Sequence, residues 1–165
     1  RVRFTFTNGF GEGSNIKLQV TDVTITDAYA TADLAIANGV AGEWSNFAGT
    51  LSKNFGQVGG ATLATLTDEG TTMSAATEHF YLIPANKAYN VTFNVTLYQA
   101  GVKLDTYERT ATIPATDMQK GMSYDIKTTL NAQNTSDDGQ LYPIEFEVNP
   151  VTEWANFGDV TGTVN

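Results

Sequence analysis

The residues with the chemistry to do more than fold are few and widely spaced. The only histidine is His79, in Glu78-His79-Phe80-Tyr81. No second histidine and no cysteine offers a base–nucleophile pair, and nothing in the sequence points to a particular catalytic pair. A lone histidine in an apolar strand is more often structural than catalytic. Asn134, Ser136, Asp138, Gly139 and Glu145 fall at positions 1, 3, 5, 6 and 12 of a calcium-loop template, with Leu141 at the apolar position 8. Calcium favours several carboxylate oxygens, whereas Asn and Ser stand at the first two sites here and Pro143 interrupts the loop. The stretch reads as an ordinary hairpin loop. No glycine-rich phosphate loop precedes a helix. The expectation is a protein with no catalytic, metal or cofactor-binding residue.

Aromatic residues in loop-like stretches are the other candidates. Phe10, Tyr29, Trp44 and Phe47 could stack on sugar rings, with Trp44 and Phe47 the best placed to face a ligand. The competing reading is that Trp44, Phe47, Leu51 and Phe55 plug one end of a β-sandwich. Their spacing of three and four fits a helix face, but the Gly, Ser and Asn between them argue against a regular helix. Asn90-Val91-Thr92, Asn94-Val95-Thr96 and Asn134-Thr135-Ser136 match the N-glycosylation acceptor. The first two lie mid-strand and read as products of a Thr- and Asn-rich strand.

Composition narrows the class. With 165 residues the chain can bury a substantial core. A net charge of −9 disfavours nucleic acid, whose phosphates are also anionic. No apolar run approaches the ~20 residues of a membrane helix. The first residue, Arg1, already lies in a strand pattern, so the chain reads as a mature or excised piece.

Strand patterns must position these candidates. Tyr89 to Tyr98 alternates apolar Tyr89, Val91, Phe93, Val95 and Leu97 with polar Asn90, Thr92, Asn94 and Thr96. Gly101 marks a turn, and Lys103 to Ile113 returns as an outward-facing strand closed by Pro114. Arg1 to Thr7 alternates with Val2, Phe4 and Phe6 on one face. After a loop over Asn8 to Asn15, Ile16, Leu18 and Val20 continue the pattern, and Val23 and Ile25 resume it at opposite parity. That slip predicts a β-bulge near Thr21 and Asp22. Asp27 to Gly42 is Ala-rich and fits either a short helix or an irregular crossover. Ala61 to Leu66 and Glu78 to Ile83 are strand candidates, with polar loop over Thr67 to Thr77. Met122, Tyr124, Ile126, Thr128 and Leu130 face one way on a further strand. Ile144, Phe146 and Val148 do so on another. The sum is an all-β, two-layer antiparallel β-sandwich of about seven strands, forming one domain.

Several of these stretches, taken in order, resemble the fimbrillin family of Bacteroidetes, the subunits of type V pili. They are RVRFTFTNG (1–9), IKLQVTDVTIT (16–26) with the later Trp44, FYLIPANKAYNVTFNVTLY (80–98), KGMSYDIKTTLN (120–131) and IEFEVNPVTEW (144–154). The family pairs two β-sandwich domains with a transthyretin-like strand layout, and this chain has the length of one, resembling the C-terminal domain. Its upstream domain, lipidation site and processing site have no counterpart in these residues. The resemblance implies a structural and adhesive subunit of a cell-surface pilus. Its partners would be other pilus subunits, held by strand exchange, and a host or bacterial surface receptor.

Two segments could serve in such assembly. Val2, Phe4 and Phe6 could fill apolar pockets of a neighbour, or form an ordinary internal strand. The tail carries Phe157, Val160 and Val164 as anchors of a donated strand, or is a frayed end. A different class of function is a non-polymerising surface module that binds glycan or protein.

Overall fold

The computed structural model describes residues 1–135 and 142–151. Among them eight strands form two four-stranded sheets. They are β1 (Val2–Asn8), β2 (Ile16–Ala37), β3 (Val40–Asn54), β4 (Ser74–Ala76), β5 (Asn86–Gln99), β6 (Val102–Asp117), β7 (Tyr124–Leu130) and β8 (Glu147–Pro150). One sheet has the order β4-β1-β7-β8 and the other β3-β2-β5-β6. Among the described residues, helix is confined to one 3-10 turn and one α turn, Ala132–Thr135.

The sheets face each other across the alternating apolar side chains. Val2, Phe4 and Phe6 of β1 are buried against Val91, Phe93 and Val95 of β5, Leu18, Val20 and Ile25 of β2, and Ile126 and Leu130 of β7. Aromatic rings knit the centre. Phe4 meets Phe55 edge-on at 4.9 Å and Phe146 at 5.9 Å, and Phe6 lies 5.0 Å from Phe93.

Among the described residues the strand pairing is antiparallel with one exception. β1 runs parallel to β7, in register from Val2↔Tyr124 to Asn8↔Leu130. Side-chain alternation is the same in either orientation, so the sequence carries no sign of it. On the sheet's outer side Asp125 accepts hydrogen bonds from Arg3 Nη2 at 3.1 Å and Thr5 Oγ1 at 2.5 Å, tying the two strands together.

The expected bulge is present. The β2–β5 register shifts between Thr21 and Thr24, and Asp22 takes a left-handed φ of 56°. Beyond it the structure departs from the sequence reading. Asp27 to Gly42 is neither helix nor crossover but the outer part of a long β2–β3 hairpin, turned at Asn38-Gly39 with φ of 52° and 75°. Two positive φ values make the tight turn whose twist suits a hairpin.

The helix-like spacing of Trp44 and Phe47 has the same origin as the bulges. A left-handed Asn46 (φ 50°) adds one residue to the period of two, turning it into three. Nor do these side chains plug the sandwich end together. Phe55 is buried, Trp44 and Phe47 are half-buried, and Leu51 is exposed.

Three other stretches need correction. Ala61 to Leu66 forms only a single bridge, Leu18↔Leu66, because the chain turns sharply beforehand. Gly59 sits there at φ +97°, with Thr62 O only 2.3 Å from where a Cβ would be. Glu78 to Ile83 likewise makes one bridge, Val2↔Phe80, while the short β4 pairs with β1 inside the expected polar loop. β6 continues through Pro114 to Asp117, which an edge strand tolerates because one row of its N–H groups has no ladder partner.

Tyr89, 1 % exposed, shows how strongly the core resists charge. Burial first, then the nearby Tyr29 and Asp27, push its phenol up to about 12 from 10. A raised folded pKa gives stability that is intact below pH 10 and lost as pH climbs to about 12. Tyr89→Phe is therefore expected to remove part of the alkaline destabilisation, on the order of 1–2 kcal/mol, in paired denaturant melts at pH 9 and pH 12. Identical pH dependence in the two proteins would contradict this.

Candidate interaction surface

β2 pairs with β5 only as far as Ile25↔Val91; from there β2 and β3 continue as a two-stranded ribbon. Asp27 secures its root. Its carboxylate accepts from Asn90 N at 2.8 Å and Asn90 Nδ2 at 3.3 Å, and lies 3.5 Å from Lys87 Nζ. Lys87 also donates to the Asp27 carbonyl and sits 4.6 Å over the Tyr29 ring. Tyr29 in turn packs on Phe47 at 4.9 Å. Charge pairing, a cation–π contact and a ring pair thus replace the lost sheet hydrogen bonds.

The ribbon also touches the connector between β6 and β7. Lys120 Nζ donates to Gly42 O at 2.7 Å and lies 3.5 Å from Glu43 Oε1. This leaves a cleft of about 410 Å³ between Trp44, the segment Tyr81 to Pro84, and the connector residues Gln119 to Ser123, with Arg1 at its edge. Arg1 Nε donates to Ser123 Oγ at 3.0 Å, which holds the guanidinium in place. At the ribbon's far end Ile36 and Val40 are each 69 % exposed.

The sequence candidates distribute unevenly over this surface. Trp44 and Phe47 do lie on one ribbon and share a shallow recess beside Pro84 and Lys120. Tyr29 joins Phe47, but Phe10 follows β1 and packs against the core elsewhere, so the four aromatics form no single platform. Val2, Phe4 and Phe6 are interior on a strand flanked on both sides. Phe157, Val160 and Val164 lie outside the described residues, as do Ser136, Asp138, Gly139 and Leu141 of the calcium template. Asn134, its first position, already accepts from Asn131 N and donates to Thr129 O through its side chain.

His79 is half-buried, and its pKa is lowered by desolvation and then by Arg1 and Arg3. Among the described residues no group of three or more His, Cys, Asp or Glu could hold a metal, and no helix is long and apolar enough to cross a membrane. A larger recess of about 640 Å³ opens beside β7, between Thr129 and Tyr142.

Two surface residues escaped the sequence reading. Tyr81 is 81 % exposed although it sits in an apolar run, and Met122 is 40 % exposed although it continues the β7 alternation. Met122 precedes the first residue of β7, so the alternation no longer governs it. The signal for the ribbon itself was Asn38-Gly39, the strongest short hairpin signal a sequence offers.

No known family's sequence profile matches the chain, and no curated protein matches it. The fold is similar to that of a fimbrial protein from Bacteroides vulgatus, with a TM-score of 0.56 and 14 % identity over 91 % of this chain and 53 % of that one. A candidate cell adhesion protein from Bacteroides ovatus matches at a TM-score of 0.33 and 13 % identity, over 90 % of this chain and 42 % of its own. The chain thus spans about half the length of these solved structures.

Proposed function

We propose that this chain is a structural and adhesive subunit of a bacterial cell-surface pilus, working by strand-mediated assembly and without catalysis. The observation that carries the reading is the placement of β1. It lies between β4 and β7 and is joined to neither by a hairpin. Its parallel partner β7 begins 122 residues later, counting Val2 to Tyr124. Lifting β1 out therefore breaks no tight turn. It would open a slot lined by Phe55, Phe93 and Phe146, side chains that Phe4 and Phe6 now cover. A strand from a neighbour with the same alternation would fill that slot and complete both ladders. The likeness in fold to a fimbrial protein supports the reading.

The test is made on the full-length protein at its native cell surface, with unboiled and boiled samples on denaturing gels and negative-stain imaging of the same material. An inserted strand leaves only by crossing a large unfolding barrier. The expected result is a ladder that survives detergent, collapses on heating and accompanies visible fibres. A single monomer band without fibres would overturn the proposal.

A further inference from the structure

The dipeptide Asn-Gly occurs twice in the chain, and the fold places the two copies in opposite surroundings. Asn8-Gly9 closes β1, and Asn8 is fully buried. Its Nδ2 donates to Ile16 O at 2.9 Å and to Leu66 O at 3.1 Å, and its Oδ1 accepts from Phe10 N at 3.0 Å. Gly9 N donates to Leu130 O at 2.7 Å, and a Cβ on Gly9 would meet Thr129 Cγ2 at 2.5 Å. Side-chain amide and backbone nitrogen are both engaged, with no room to move. Asn38-Gly39 is the two-residue turn at the ribbon tip, closed by the pair Ala37↔Val40. Both residues are exposed, and beyond its chain neighbours no heavy atom lies within 4 Å of where a Cβ on Gly39 would be. Among the described residues nothing hydrogen-bonds the Asn38 side chain. In such a turn the closing pair carries the ladder bonds, so Gly39 N stands outside them.

We propose that Asn38 is a self-modification site, converted in the folded protein to a mixture of aspartate and isoaspartate, and that this conversion loosens the ribbon. Gly39 N gives up its proton to solvent and attacks Asn38 Cγ. A C–N bond forms, the Cγ–Nδ2 bond breaks, and the amide nitrogen takes up a proton and leaves as ammonia. The product is a cyclic imide. Water opens it at the former side-chain carbonyl to give aspartate, or at the backbone carbonyl to give isoaspartate, whose main chain runs through Cβ and Cγ. No other side chain is needed, so reactivity is set by the freedom of the two reacting groups. The tip frees them by breaking the last ribbon pair, whereas freeing Asn8 means opening the core. Such openings span from near zero at loop tips to the full stability in core strands. Isoaspartate then adds a backbone atom to a turn built for two residues, and either product adds a negative charge to a ribbon that already carries Asp33 and Glu43. Little else holds the tip. Past Ile25↔Val91 β2 is paired with β3 alone among the described strands, and β3 is an edge. Fraying from the turn runs toward the bond from Lys120 to Gly42 O. Pilus assembly does not enter this chemistry, so either reading can fail alone.

The experiment incubates the full chain folded, at neutral and at mildly alkaline pH, and in parallel unfolded in urea. Peptide mass mapping that separates aspartate from isoaspartate follows both Asn-Gly sites. Asn38 is expected to convert in the folded chain, faster at alkaline pH because the attacking nitrogen must lose its proton. Asn8 should convert at least about 100-fold more slowly there. In urea the two sites should convert at similar rates, since the dipeptide is the same. Hydrogen exchange on the converted protein should quicken over Ile36 to Gly42 and stay unchanged in β5 and β6. An Asn38 amide that persists in the folded chain while the unfolded chain converts would overturn the proposal. So would equal conversion of Asn8 and Asn38 in the folded chain, or unchanged exchange along the ribbon once Asn38 has converted.

Discussion

Replacing Phe4 by alanine is expected to lower the unfolding free energy by about 3–5 kcal/mol, the range for a large aromatic removed from a packed core. Phe4 is fully buried on an internal strand. Its ring contacts come from three directions. Phe6 is on its own strand at 6.4 Å, Phe55 follows β3 at 4.9 Å, and Phe146 precedes β8 at 5.9 Å. No single neighbour can swing in to fill the space, so the cavity should persist. Urea unfolding followed by far-UV circular dichroism reads the change in midpoint. Val40→Ala at the exposed ribbon tip serves as the control and should stay within about 0.5 kcal/mol. A loss below about 1 kcal/mol for Phe4→Ala would mean that β1 is not held in the core as described.

Asp125→Ala is the second large effect, about 1–3 kcal/mol. Asp125 is buried although it faces outward, because Arg3 and Thr5 of the parallel neighbour close over it. Its removal takes the acceptor from both, and the Thr5 hydroxyl in particular loses a short bond. Arg3 is about one-third exposed and can recover water, which keeps the cost below that of a fully buried ion pair. Asp125→Asn should recover part of the loss, since an amide oxygen still accepts from Thr5. Hydrogen exchange should localise the damage to β1 and β7. An unchanged exchange pattern in Asp125→Ala would show that the backbone ladder alone holds the parallel pair.

The fold is legible in most stretches with one dry face and one wet; Ile144 to Phe146 alternates as cleanly but precedes β8, which begins only at Glu147. Tyr89 to Tyr98 and Arg1 to Thr7 reveal their strands because both sides of the alternation are chemically distinct. The bulge at Asp22 was legible for the same reason, since a slip in parity can be seen only against a clean pattern. The ribbon failed that condition. Much of it contacts solvent on both faces, its Ala-rich strand offers little contrast, and its bulges distort the period.

Glu78 to Ile83 misled for another reason. The sequence shows its apolar content but not that its ladder is replaced after one bridge. Thr77 pairs with Phe4 through both backbone and hydroxyl, accepting Phe4 N at Oγ1, and the chain then leads away with Tyr81 outward. The candidate site was half legible on the same grounds. Trp44 stood out by type, whereas Tyr81, Met122 and Lys120 come to it only through the folding of the ribbon over a distant connector.

The exchange of β1 can be tested by preventing it. Thr7 Oγ1 of β1 and Ser74 Oγ of β4 lie 3.0 Å apart across an antiparallel pair, and the chain has no cysteine of its own. The double variant Thr7→Cys/Ser74→Cys, placed in the full-length protein on its native surface, would let a disulfide fasten β1 in its sheet. The account predicts a heat-sensitive ladder from the reduced double variant and from each single variant. The oxidised double variant should give only monomer, and the ladder should return when reductant is added during assembly. An undiminished ladder from fully oxidised protein would contradict exchange of β1.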